Sequence, residues 1–195
     1  VDTLVVTATH THEAPDTMGR WGPGIFGTGL PTETGLVEEY MAFIRAQITE
    51  VVEESVANLE PVDVYASQFN TGSDGFATRD SRHPFIFNDV VTTLHFVKAD
   101  GDRTDSDDTV GMLFNWHSHP EVLAADNPYI SSDFPHYVRE YLENGFETET
   151  EVIGETDVTR PAWDGLGGPV VYISGTVGGL LNPLSTPAKG RAGNV

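Results

Sequence analysis

Two short stretches carry residue types that could build a metal site. The first, Ala8-Thr9-His10-Thr11-His12, closes the apolar run Leu4-Val5-Val6. The second, Asn115-Trp116-His117-Ser118-His119-Pro120, closes the run Val110-Gly111-Met112-Leu113-Phe114. Each sets a His-x-His pair just beyond a strand-like segment. Alternate side chains of an extended chain share a face, so His10 should point with His12 and His117 with His119. In sheets with helical crossovers, ligands gather at strand ends. Two such ends side by side would collect several imidazoles, the commonest protein ligand for zinc and its neighbours. A single histidine after a strand is usually structural, but two His-x-His pairs at two strand ends are harder to attribute to chance. One zinc ion per chain is the expectation. A catalytic zinc holds three or four protein ligands and an open position, where bound water acts as hydroxide near neutral pH. Four histidines rarely fit one ion, which leaves some of them to orient ligands or handle protons.

The elements that must position these pairs follow from the pattern. Val1 to Thr9 reads as a buried strand. Glu13 to Pro31, rich in Gly and Pro, reads as a long irregular loop. Between about Thr34 and Asn58, apolar residues recur at spacings of three and four (Val37, Tyr40, Met41, Ile44, Ile48, Val51, Val52), which predicts a helix ended by Pro61. Val62 to Gln68, Val90 to Val97, Thr109 to Trp116 and Val170 to Ser174 read as strands. Asp133 to Asn144 reads as a short helix, with Ser132 or Asp133 near its start and Gly145 after its end. Glu147 to Arg160 is acidic and weakly patterned. The Asp-rich run from Asp100 to Asp108 lacks the Gly and terminal Glu of a calcium loop and reads as an exposed turn. No repeat or linker stands out, so residues 1–195 read as one α/β domain, with mixed β-sheet layered on α-helices.

Composition narrows the function. The formal net charge is -20, from 30 acidic against 10 basic residues, which argues against nucleic acid and anionic membrane surfaces as partners. There is no cysteine, so disulfides, thiolate zinc sites and cysteine nucleophiles are excluded. No stretch is long and apolar enough to span a bilayer.

Several segments together resemble the neutral/alkaline (non-lysosomal) ceramidases. Ala8-Thr9-His10-Thr11-His12-Glu13-Ala14-Pro15 resembles that family's ATHTHSGPG motif. Asn115-Trp116 with His119-Pro120 resembles NWxxxHP. Ser131-Ser132-Asp133-Phe134 with Tyr137 resembles SGDNxGY, and Asp80-Ser81-Arg82-His83-Pro84 resembles NRSP. The resemblance implies a ceramidase-like catalytic domain and a zinc-dependent hydrolase of an amide, such as a ceramide-like N-acyl lipid, or of an ester. It implies that His10 and His119 are zinc ligands, that His12 lies beside the site, and that Arg82 faces substrate or oxyanion, with Arg79 as the alternative register. The family's remaining ligands, a glutamate and a tyrosine, come from later sequence. The chain therefore reads as the central part of a longer catalytic domain, from a secreted, periplasmic or cell-surface protein whose signal peptide is not in this sequence.

Three positions depart from the family pattern. Glu13 stands where Ser is usual. The second motif is one residue shorter, which adds His117 to the candidates. In the Gly-rich turn Gly175-Thr176-Val177-Gly178-Gly179-Leu180-Leu181, an apolar residue, Leu181 in this register, stands in place of a serine. The expected roles are then as follows. His12 or His117 moves protons, and Arg82 polarises or anchors the substrate. The backbone N–H groups at Gly178 and Gly179 either stabilise an oxyanion or form a plain strand-to-helix turn. Asp133 either caps its helix or orients His119. The rival reading is a non-catalytic secreted or surface protein that keeps this fold and a structural metal.

Overall fold

The computed structural model describes residues 3–24, 32–71, 79–80, 84, 86, 88–123, 127–153, 156–177 and 181–182. It is a mixed α/β fold. In chain order the elements are α1 (Glu38–Ala57), β1 (Val62–Asn70), β2 (Arg79–Asp80), β3 (Val90–Lys98), β4 (Thr109–Trp116), α2 (Phe134–Asn144), β5 (Glu149–Ile153), β6 (Thr156–Arg160), β7 (Val170–Ser174) and β8 (Leu181–Asn182). The central four-stranded sheet runs β1-β3-β4-β7. Its first two pairings are antiparallel and β4–β7 is parallel. A parallel pair needs a crossover, and the chain between β4 and β7 supplies one that contains α2. The tightest packing lies on this sheet, at Val91, Val97, Val170 and Tyr172. The Tyr172 ring stacks on Phe114 at 6.0 Å and meets Phe134 of α2 edge-on at 5.9 Å.

α2 is tied down at both ends, for reasons visible in its sequence. Asp133 caps the start, with its carboxylate accepting from Phe134 N–H at 2.6 Å. Pro135 has no N–H to offer, and His136 N–H reaches the Asp133 carbonyl at 3.2 Å. At the far end Gly145 takes φ 75°, a left-handed value that costs glycine little. The last carbonyls are then satisfied one by one. Tyr141 accepts from Gly145, Leu142 from Leu166 and Glu143 from Gly167, at 3.0, 2.8 and 3.1 Å. α2 also covers the start of edge strand β7, because Arg139 Nε donates to Val170 O and Val170 N–H donates to Glu143 Oε1, both at 2.8 Å.

Three expectations need correction or completion. Residues 3–9 form no strand, and Leu4, Val5 and Val6 are 60%, 73% and 62% exposed. An apolar run becomes a strand only with a ladder partner. Here the segment is held at Thr9, whose carbonyl accepts from Ser174 Oγ at 2.5 Å, a side-chain bond and not a ladder. The weakly patterned stretch from Glu147 to Arg160 holds an antiparallel hairpin of β5 and β6, joined across its face by Thr150 Oγ1 and Thr159 Oγ1 at 3.0 Å. α1 forms where the periodicity predicts it, but none of its residues is fully buried; Tyr40, Met41, Ile44 and Val52 are half-covered, whereas Ile48 and Val51 are exposed.

His95 on β3 gives this sheet a pH dependence. Its Nε2 lies 3.0 Å from Thr109 Oγ1. Burial, and secondarily the Arg103 cation, lower its pKa from 6.5. The unfolded chain therefore takes up this proton more readily than the folded one. The stability that His95 contributes is present above pH 6.5 and is lost as pH falls through the lower folded value. His10 and His117 are shifted in the same direction. His95→Gln, which can still reach Thr109, is expected to shrink the drop in urea midpoint between about pH 7.5 and about pH 5. An equal drop in both proteins would dismiss the assignment.

Candidate metal centre

The first motif is stitched between the exit of β4, the lead-in to α2 and the end of β7. His12 N–H donates to Pro120 O at 3.2 Å, and Ser131 N–H donates to Glu13 O at 3.0 Å. Thr11 Oγ1 reaches Ser131 O at 3.0 Å, and Ser174 Oγ holds Thr9 O. These bonds place the two His-bearing segments side by side. The rings of His10, His12 and His119 form a near-equilateral triangle, with centroids 5.3 Å (His10–His12), 5.0 Å (His10–His119) and 5.4 Å (His12–His119) apart.

One potential ligand nitrogen from each ring lies within 4.8 Å of the others. Nitrogens of a tetrahedral zinc site sit about 3.3 Å apart, so a small inward swing of the rings suffices. His119 is buried and forms the floor, while His10 and His12 are exposed. Burial, then the neighbouring His119 and His12, lower the His10 pKa, with the Glu121 charge opposing. The shift favours the neutral ring, the form that offers a lone pair to a metal. His10 also sits at φ 66°, in the left-handed region. For a residue other than glycine such a backbone costs on the order of 1–3 kcal/mol and tends to occur at functional sites. The donor set fits a borderline cation such as zinc.

The other sequence candidates fall elsewhere. β4 ends at Trp116, so alternation no longer governs residues 117–119. His117 turns away from the triangle and binds the Gly175–Thr176 turn. Its Nδ1 accepts from Thr176 N–H at 2.7 Å, with Thr176 Oγ1 at 2.8 Å. The N–H bond fixes the neutral tautomer, with the proton on Nε2, and burial lowers the pKa. A side chain on Gly175 would run into this ring. Asp133 is 2% exposed, and its two oxygens accept from Phe134 N–H and from Leu123 N–H at 3.1 Å. It thus serves as a helix cap that also clamps the loop after His119. Glu13, in place of the family's serine, accepts from Thr11 Oγ1 at 3.0 Å, and burial raises its pKa. Arg82, Gly178 and Gly179 lie outside the described residues.

Sequence reasoning overlooked Glu121. Its Oε2 lies 3.3 Å from His12 Nδ1. The available signal was a carboxylate separated from a candidate ligand by one proline.

No family model matches the chain, and no curated protein matches it. Among solved structures it is similar to several. Two of these are of ceramidases. One is the neutral ceramidase from Pseudomonas aeruginosa, at 18% identity and TM-score 0.46, with 68% of this chain covered. The other is a ceramidase complexed with C2, at 16% identity and TM-score 0.43, with 67% covered. The chain spans 19% and 18% of those two chains.

Proposed function

We propose that the protein is a zinc-dependent hydrolase whose metal is held by His10, His12 and His119. The observation that carries this reading is the triangle of three imidazoles, with one buried and two open to solvent. When bound, zinc supplies Lewis-acid polarisation of a carbonyl and acidifies a water. The chain's own residues do the rest. His119 anchors the floor, and partial burial with the neighbouring His119 and His12 disfavours the protonated form of His10. The exposed His10 and His12 leave the outer side open to a substrate. The motif resemblance extends the reading to an amide, of the ceramide-like N-acyl lipid class, or an ester. It also suggests a secreted, periplasmic or cell-surface setting and further ligands beyond this sequence. Arg82 is the proposed substrate anchor, and the N–H groups at Gly178 and Gly179 the proposed oxyanion donors. No helix among the described residues is long and apolar enough to cross a membrane.

Purification without added metal, followed by elemental analysis, should find about one zinc per chain. Hydrolysis of a nitrophenyl ester or a short N-acyl sphingosine should stop with chelator and return with zinc. Absence of metal together with failure to take up zinc would sink the reading. Stoichiometric zinc with no hydrolysis of either probe would favour the non-catalytic relative, which the apolar Leu181 in place of the family's serine already allows.

A further inference from the structure

We propose that Glu121 is the positioning residue of this centre: it holds the His12 ring by its Nδ1 side and leaves Nε2 to bind the metal. The inference rests on the reading of the triangle as a metal site. Three features of the chain place the carboxylate. Glu121 N–H donates to His119 O at 2.9 Å across Pro120, a three-residue turn whose centre matches proline's fixed φ. That turn folds the chain back just after His119. His12 N–H donates to Pro120 O, which fixes the His12 backbone against the same turn. Glu121 Oε2 then lies 3.3 Å from His12 Nδ1.

The consequence is a second job for the His119-Pro120-Glu121 segment. It supplies one ligand and orients another that comes from the far end of the chain. His12, like His10, is exposed and needs this support more than the buried His119 does. Its side chain is 44% exposed, so packing alone does not select a rotamer, whereas the Glu121 side chain is only 19% exposed. A carboxylate on the outer nitrogen sets the tautomer and ring plane of the ligand. It also places a negative charge beside the imidazoles, which favours a dication.

Zinc affinity, read by competition with a chromophoric chelator, tests this in the protein and in four variants. Glu121→Ala is expected to weaken zinc binding about 10- to 100-fold. Glu121→Gln, which keeps an acceptor oxygen, should recover part of the loss. His12→Ala should lose at least as much as Glu121→Ala, and Glu140→Ala, which removes the same charge from the exposed side of α2, should lose nothing. Cobalt(II) substitution supplies a readout that a purely structural role would not move. The visible d–d bands should change in Glu121→Ala and return toward the original in Glu121→Gln, while the urea midpoint of the metal-free protein stays the same. Glu121→Ala with unaltered affinity and unaltered cobalt bands overturns the proposal. So does an affinity loss fully matched by Glu140→Ala or by a fall in metal-free stability. If the unsubstituted protein takes up neither zinc nor cobalt, the metal reading itself fails, and the parent titration alone reveals it.

Discussion

His119→Ala is expected to leave the protein unable to retain zinc through gel filtration, and His10→Ala to do the same. Each change removes one corner of a three-imidazole site, and the loss should be on the order of a thousandfold in affinity, about 4 kcal/mol. His119 should be the more damaging of the two, because it is the buried corner, and alanine there also opens space beneath the rings. His12→Ala discriminates between a site of two imidazoles and one of three. The motif resemblance puts His12 beside the metal, whereas the triangle makes it an equal corner. A loss comparable to that of His10→Ala is expected. His136→Ala, an exposed residue on α2 whose ring rests on Tyr137, is the control and should keep its metal. Equal metal content in all four variants would rule out the ligand set.

Gly145→Ala should be the most destabilising single substitution away from the site. At φ 75° a side chain is strained, and the added carbon would press on the Trp163 carbonyl and on the backbone of Asp164 and Gly165. A left-handed backbone costs an alanine about 1–2 kcal/mol and overpacking about 1–3, so roughly 3–4 kcal/mol is expected. The neighbourhood cannot relax cheaply. Phe146 and Trp163 exchange two backbone hydrogen bonds, at 2.8 and 2.9 Å, and the following loop caps the carbonyls at the end of α2. Urea denaturation followed by far-UV circular dichroism measures the loss. A midpoint within error of the parent would show that the loop yields freely and that the cap matters little.

How much of this was legible in the sequence depended on whether the decisive contact was local. β3, β4, β7 and α2 emerge within a residue or two of the predicted spans, because period and turn residues encode them. The Asp133 cap and the Gly145 stop are likewise local chemistry. The grouping of His10 with His119 agrees with the motif resemblance, whereas the strand-end argument holds only for the β4 side, because no strand among the described residues precedes His10. Three things could not be seen. His10 leaves extended backbone at φ 66°, so the argument that placed it with His12 does not describe how the two rings meet. His117 parts from His119 because β4 stops at Trp116 and Thr176 N–H claims the ring. The Glu121 carboxylate meets His12 only through a turn at Pro120 and a bond between distant segments. The run Leu4-Val5-Val6 fails for the opposite reason: its composition suits a strand, but it has no ladder partner among the described residues.

The bonds that assemble the triangle join very distant parts of the chain. Thr11 and Ser131 are 120 positions apart, and Thr9 and Ser174 are 165 apart. Contacts of such separation carry the largest loop-closure cost and are slow to form. The hairpin of β3 and β4 and the capped α2 can form from nearby residues, whereas the site must wait for the first dozen residues to find the end of β7. A cation held across that junction would therefore act mainly as a brake on unfolding. It would bind contacts absent from an early transition state, and so prolong the lifetime of the native state without hastening its formation.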